Sequence, residues 1–222
     1  MFQKLLDRIE IRYGRYRGIR NLMAIIVAGM AITYLADLLL GPVTGIYLSQ
    51  WFAFSRDLIL RGQIWRLLTF VFTSPGQQSV LFILQLVFVY FTGNLLQNHW
   101  GILRFNLFYF FGMLGTLIAG MITGYATGYY VNLSLMLAVA MLYPRMQINL
   151  YGILPISMKW LALIELLLLL PGIVNGTWGM RICILVSLLN VLLFMQDRMM
   201  RYLREAQRRR QWKKNWHNGN WR

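Results

Sequence analysis

Apolar residues along this chain come in long runs split by short polar breaks, and they do not alternate with polar residues. Six runs stand out, near residues 22–41, 79–96, 103–122, 131–143, 160–174 and 180–195. A segment in hydrocarbon must bond its own backbone, so unbroken apolar runs read as helices, whereas membrane strands would alternate. The pattern predicts an all-α membrane bundle of six helices. The fourth run is the exception. Its 13 residues (131–143) span about 20 Å at 1.5 Å per residue, against a hydrocarbon core of roughly 30 Å. Such a helix has to sit at the centre of the bundle, beside a water-filled cavity, or in thinned membrane.

The breaks carry their own signals. Pro42 and Gly45 are expected to end the first helix. Residues 42–78 are too interrupted to span and read as an interfacial loop with two amphipathic pieces, Tyr47–Phe54 and Trp65–Phe72, closed by the turn residues Ser74-Pro75-Gly76. Asn98–Gly101 reads as a turn, Gly124–Tyr130 as an outer loop, and Pro144–Lys159 as a loop with Pro155 inside it. Pro171 is expected to kink the fifth helix. The third run carries Gly112, Gly115 and Gly120, whose spacing lets helices approach closely in lipid. Residues 1–20, patterned on Phe2, Leu5, Leu6 and Ile9, read either as a short amphipathic helix on the membrane surface or as an unstructured basic tail.

Composition agrees with a membrane class. Hydrophobic residues make up 58% and charged ones 13%, too little polarity to cover a soluble domain. The net charge of +15 raises nucleic-acid binding, but its placement argues against it. Six Lys/Arg fall in residues 1–20 and nine in 196–222, flanking the membrane runs, where orientation and anionic lipid explain them. With the N-terminus inside, Arg104, Arg145, Lys159 and both basic ends share the cytoplasmic side. Only Arg56, Arg61, Arg66 and Arg181 lie outside. Residues 199–222 then form a basic cytoplasmic tail. Cys183 is the single cysteine, so an intrachain disulfide or a zinc cluster is excluded, and neither a metal nor a cofactor is expected.

Trp65-Arg66 in the first loop is followed by Val89-Tyr90-Phe91-Thr92-Gly93, then Trp100-Gly101, Arg104-Phe105 and Phe108-Tyr109. That order resembles the rhomboid superfamily. The resemblance implies a six-helix bundle over residues 21–198, a loop anchored by Trp65 and Arg66, and helix packing through Tyr109 and the glycines. Active rhomboids cut substrates with a Ser–His pair, the serine in Gly-x-Ser-Gly on the fourth helix and the histidine on the sixth. Here the fourth run has Asn132-Leu133-Ser134-Leu135, without the glycines, and residues 180–195 contain no histidine. Leu81 and Gln85 fall where the family's helper His and Asn would be. The two histidines, His99 and His217, are both predicted on the cytoplasmic side, away from Ser134. A serine without a base in reach is a poor nucleophile. The expectation is a pseudoprotease rather than an enzyme.

A second stretch, Leu154-Pro155 through Lys159-Trp160-Leu161 opening the fifth helix, resembles the Derlin-like branch. That branch implies binding of membrane-protein clients in a lateral groove, in quality control or dislocation, with hand-over to a membrane-bound protease or an AAA ATPase. The tail carries no Gly-rich ATPase-recruiting motif, so a bacterial plasma membrane fits better than the endoplasmic reticulum. Gln85, Ser134 and Asn190 are the candidate groove residues, each with an ordinary interhelical hydrogen bond as the alternative. Anionic lipids are expected partners of the basic ends, and self-association into a homo-oligomer is left open. Two rivals stand beside this expectation. One is a small ion, proton or solute transporter using Asp37 and Glu165. The other is a residual intramembrane serine protease using Ser134.

Overall fold

The computed structural model describes residues 2–14, 17–73, 81–150 and 154–217. It is 80% helical, as an all-α fold requires. Three helices among the described residues are long and apolar enough to cross a membrane: α2 (Leu22–Thr44), α7 (Ile102–Thr123) and the Trp178–Gln196 portion of α10 (Trp178–His217). Between them lie α6 (Leu81–Trp100), α8 (Tyr129–Leu142) and α9 (Met158–Val174). The outer faces of α2 and α9 expose Ile32, Leu35, Leu38 to Leu40, Leu163, Ile164 and Leu166 to Leu168. Contiguous apolar surface on that scale has no place in water and marks a membrane protein.

Several boundaries differ from the sequence expectation. Pro42 does not end α2. The helix runs through it to Thr44 and stops at Gly45 (φ 70°), whose N–H bonds to the Gly41 carbonyl. A proline in the last turn leaves little helix downstream to disrupt. α9 runs to Val174 with Pro171 inside it, the end expected for the fifth helix. The turn expected at 98–101 shrinks to Gly101 (φ 88°), because Asn98 and His99 are polar but do not break a helix. The interfacial loop holds three short helices rather than two pieces: α3 (Leu48–Phe52), α4 (Arg56–Leu60) and α5 (Arg66–Thr69), the last running into a 3-10 turn at Phe70–Phe72. At five residues, α4 is too short to show a period.

The expected loop at Pro144–Lys159 contains an antiparallel hairpin, β1 (Gln147–Leu150) with β2 (Leu154–Ser157), pairing Gln147 with Ser157 and Leu150 with Leu154. Pro155 argues against a strand in sequence, but each strand here is an edge and tolerates it. Beyond the apolar run, α10 continues to His217, since Met180–His217 contains no Gly or Pro and is rich in Arg, Gln, Leu and Met. The N-terminal segment forms α1 (Phe2–Tyr13), which buries Leu6 and pairs Asp7 with Arg104 at 2.6 Å. The turn expected at Ser74-Pro75-Gly76, the first two residues of the second predicted run, and Asn218–Arg222 lie outside the described residues.

The short helix is the core. All residues from 130 to 140 in α8 are buried, and α6, α7, α9 and α10 pack around it. This 14-residue apolar helix thus sits at the centre of the bundle. The α7–α10 pair forms the most extensive contact in the bundle.

Candidate functional site

The site is best built outward from α8. Ser134 is fully buried (0% exposed). Its hydroxyl donates to the Val131 carbonyl at 2.7 Å, the back-bond open to a serine within a helix. It accepts from the Asn190 amide at 3.3 Å, and that same amide donates to the Phe108 carbonyl at 3.2 Å. Two of the sequence-predicted groove residues therefore meet each other in the packed core between α7, α8 and α10. Gly112 permits this. A Cβ there would lie 2.9 Å from Asn190 Nδ2 and 3.4 Å from Val131 Cγ1. Gly115 lets Val186 of α10 come close, and Gly120 gives way to Ala126 and to Phe54 of the interfacial loop. Tyr109 is buried in the same layer. At the far end of α8, the Tyr143 hydroxyl bonds His99 Nδ1 at 2.9 Å. Nine residues of helix, roughly 13 Å, separate Tyr143 from Ser134. His217 lies in the last turn of α10.

Gln85 sits elsewhere. With Phe88 and Val89 it forms the α6 wall of a cavity of about 420 Å³. The α8 wall is Tyr129, Asn132, Leu133 and Met136, and α9 contributes Glu165. Tyr125 and Met180 close the end at which α6, α8 and α10 begin. Both α6 and α9 pack on α8, and the cavity lies between them. Its volume is in the range of ligand sites, and its walls are mostly apolar with a few polar groups. The Tyr129 hydroxyl donates to the Glu165 carboxylate. Glu165, the most isolated charge in the apolar runs, thus has a partner, as a half-buried carboxylate requires.

Asn132 is the residue that sequence reasoning missed. It is 7% exposed, lines the cavity, and among the described residues has no hydrogen-bond partner for either its amide oxygen or its amide nitrogen. The available signal was a carboxamide in a short helix whose other residues, Ser134 and the tyrosines apart, are apolar.

The interfacial loop is organised by Arg66. Arg66 is buried, at 5% exposure, while Trp65 beside it is 43% exposed. Arg66 Nε donates to Gln63 Oε1 at 2.7 Å, and Nη1 donates to the carbonyls of Gln50 at 2.8 Å and Ala53 at 2.5 Å. Burial pulls the Arg66 pKa below its ordinary value. Asp37 is likewise engaged: its two oxygens accept the Ser49 backbone N–H in the first turn of α3, at 3.1 and 3.3 Å. No group of three or more His, Cys, Asp or Glu side chains that could hold a metal occurs among the described residues. Comparison with family models, with curated proteins and with solved structures yields no match.

Proposed function

We propose that this chain is a catalytically inactive rhomboid-like membrane protein, on the Derlin-like side, that holds segments of other membrane proteins in the cavity between α6 and α9. All six apolar helices would span or partly span the bilayer, with both termini cytoplasmic. The observation that carries the reading is the cavity itself, walled on one side by a helix too short to cross the hydrocarbon. Because α8 falls short of the hydrocarbon thickness, water entering at its end would hydrate the space beside it. A client helix with polar residues would lose less there than in lipid, because its polar groups meet Gln85, Asn132 and the Tyr129–Glu165 pair. The bonds that Ser134 makes in the core, to Val131 and Asn190, support a structural role for that serine. Captured clients would pass to a membrane-bound protease or an ATPase, and the basic ends would hold the cytoplasmic face to anionic lipid.

Photo-crosslinkers at Gln85 and Phe88, beside a control at Leu168 (67% exposed), test this in cells. Membrane-protein clients enriched at the two cavity positions over Leu168 are the expected result. Equal recovery at all three would remove the reading. One observation keeps the transporter reading in view, namely Glu165 in the cavity wall. It predicts pH-dependent proton flux in proteoliposomes, lost in Glu165→Gln. Asp37, its expected second residue, is occupied by the Ser49 N–H, and no flux is expected.

A further inference from the structure

We infer that Asn132 is the recognition element of the cavity and that it selects membrane segments presenting an uncharged amide. Such a group is a side-chain carboxamide, or a backbone peptide where the segment's helix is broken. This deepens the client-binding reading and rests on it. Buried polar groups in folded proteins are almost always bonded, and an exception calls for an explanation. Asn132 is more than nine-tenths buried, and both ends of its carboxamide lack a partner among the described residues. The residue lines a cavity of about 420 Å³, with its amide atoms covered in this conformation, so that a guest amide would have to displace what covers them. A carboxamide offers two donors and an acceptor side by side. A second amide, with one N–H and one C=O, answers both at once.

The remaining polar groups narrow the class. Among the described residues no Lys or Arg lines the cavity, and Glu165 does, so a carboxylate guest would meet repulsion. A cationic guest would find Glu165, whose carboxylate already takes the Tyr129 hydroxyl, and would leave the Asn132 N–H groups unanswered. Gln85, on the α6 wall of the same cavity, is likewise an uncharged amide. Asn132 lies one turn into α8 and Gln85 about one turn into α6. The selected amide would therefore sit near the outer end of the client segment, where helices fray and backbone amides come free.

The test uses the full-length protein in phosphatidylcholine–phosphatidylglycerol vesicles. The probes are Leu/Ala peptides of about 20 residues with a terminal dansyl group, carrying Asn, Leu or Lys one turn from the outer end. Energy transfer from the protein's tryptophans reads binding. The Asn peptide is expected to bind about three- to thirtyfold more tightly than the Leu peptide. In Asn132→Leu that preference should vanish with the Leu peptide unaffected. A preference that survives Asn132→Leu overturns the inference and leaves client binding standing. A Lys peptide that binds tightest and loses its advantage in Glu165→Gln overturns it in favour of ionic recognition. If no peptide binds the parent protein, the client reading fails and this inference with it. Thermal unfolding provides the check on folding. Asn132→Leu should melt at or above the parent, since the carboxamide has no partner to lose. A clear fall in Tm would mean that the amide is bonded within the fold, and would overturn the inference.

Discussion

At the scale of single residues, polar side chains in this protein divide into those that close on the protein itself and those that do not. Arg66 closes. Its planar fork spans Gln63 and two loop carbonyls that would otherwise lie unpaired. Arg66→Ala is expected to lower stability in detergent by about 2–4 kcal/mol, from the lost charge-assisted bonds and the orphaned carbonyls. Arg66→Lys should recover only part of it, because an ammonium cannot reproduce the fork. Thermal unfolding of the three proteins measures both. Ser134 also closes, so Ser134→Ala should cost only about 1 kcal/mol. A serine-directed fluorophosphonate should not label the parent protein. Labelling that disappears in Ser134→Ala would revive the protease alternative.

At the scale of elements, the tight seam runs between α7 and α10. A Cβ on Gly115 would come within 2.7 Å of Val186 Cγ1. Gly115→Leu should therefore destabilise the bundle by about 1–3 kcal/mol through overpacking. Val186→Ala in the same chain should return part of the loss, because the two sites touch and their effects do not add. Denaturant unfolding of the single and double variants reads this coupling. Additive losses would place the clash elsewhere. Asp37 ties α2 to α3 through one backbone N–H. Asp37→Ala should cost about 1 kcal/mol, in the manner of a lost helix cap, and open the interfacial loop to protease before the bundle melts.

At the scale of the molecule, charge placement and helix order combine into a topology. Single cysteines in a Cys183→Ser background should react with impermeant maleimide from outside the cell at Gly62, and from inside only at Arg145 and Gln211. Outside labelling at Arg145 would contradict six spans with cytoplasmic termini. The whole of α10 is 40 residues, about 60 Å. Its last third is strongly basic. Binding of a detached tail peptide to anionic vesicles should weaken steeply with salt, as Lys/Arg contacts with a charged surface do.

Where the apolar helices lie and how the charges are distributed were legible in the sequence, because both are set by local composition against the solvent. A long apolar run has no stable place in water and must be covered by hydrocarbon or by other helices. The shortness of the fourth run was legible for the same reason, and it narrowed that helix's position to three options. Choosing among them needed the tertiary structure, since central burial depends on which faces of α6, α7, α9 and α10 meet it. The hairpin at Gln147–Ser157 and the helix Arg56–Leu60 were hidden because elements of four or five residues are too short to show a period. Gln85, Ser134 and Asn190 look alike in sequence, three polar residues in apolar helices. The fold separates them by rotation about the helix axes. Ser134 and Asn190 turn toward each other in the core, and Gln85 turns toward the cavity with Asn132. Whether a buried polar group finds a partner depends on what neighbouring helices bring to it, and no stretch of chain contains that information alone.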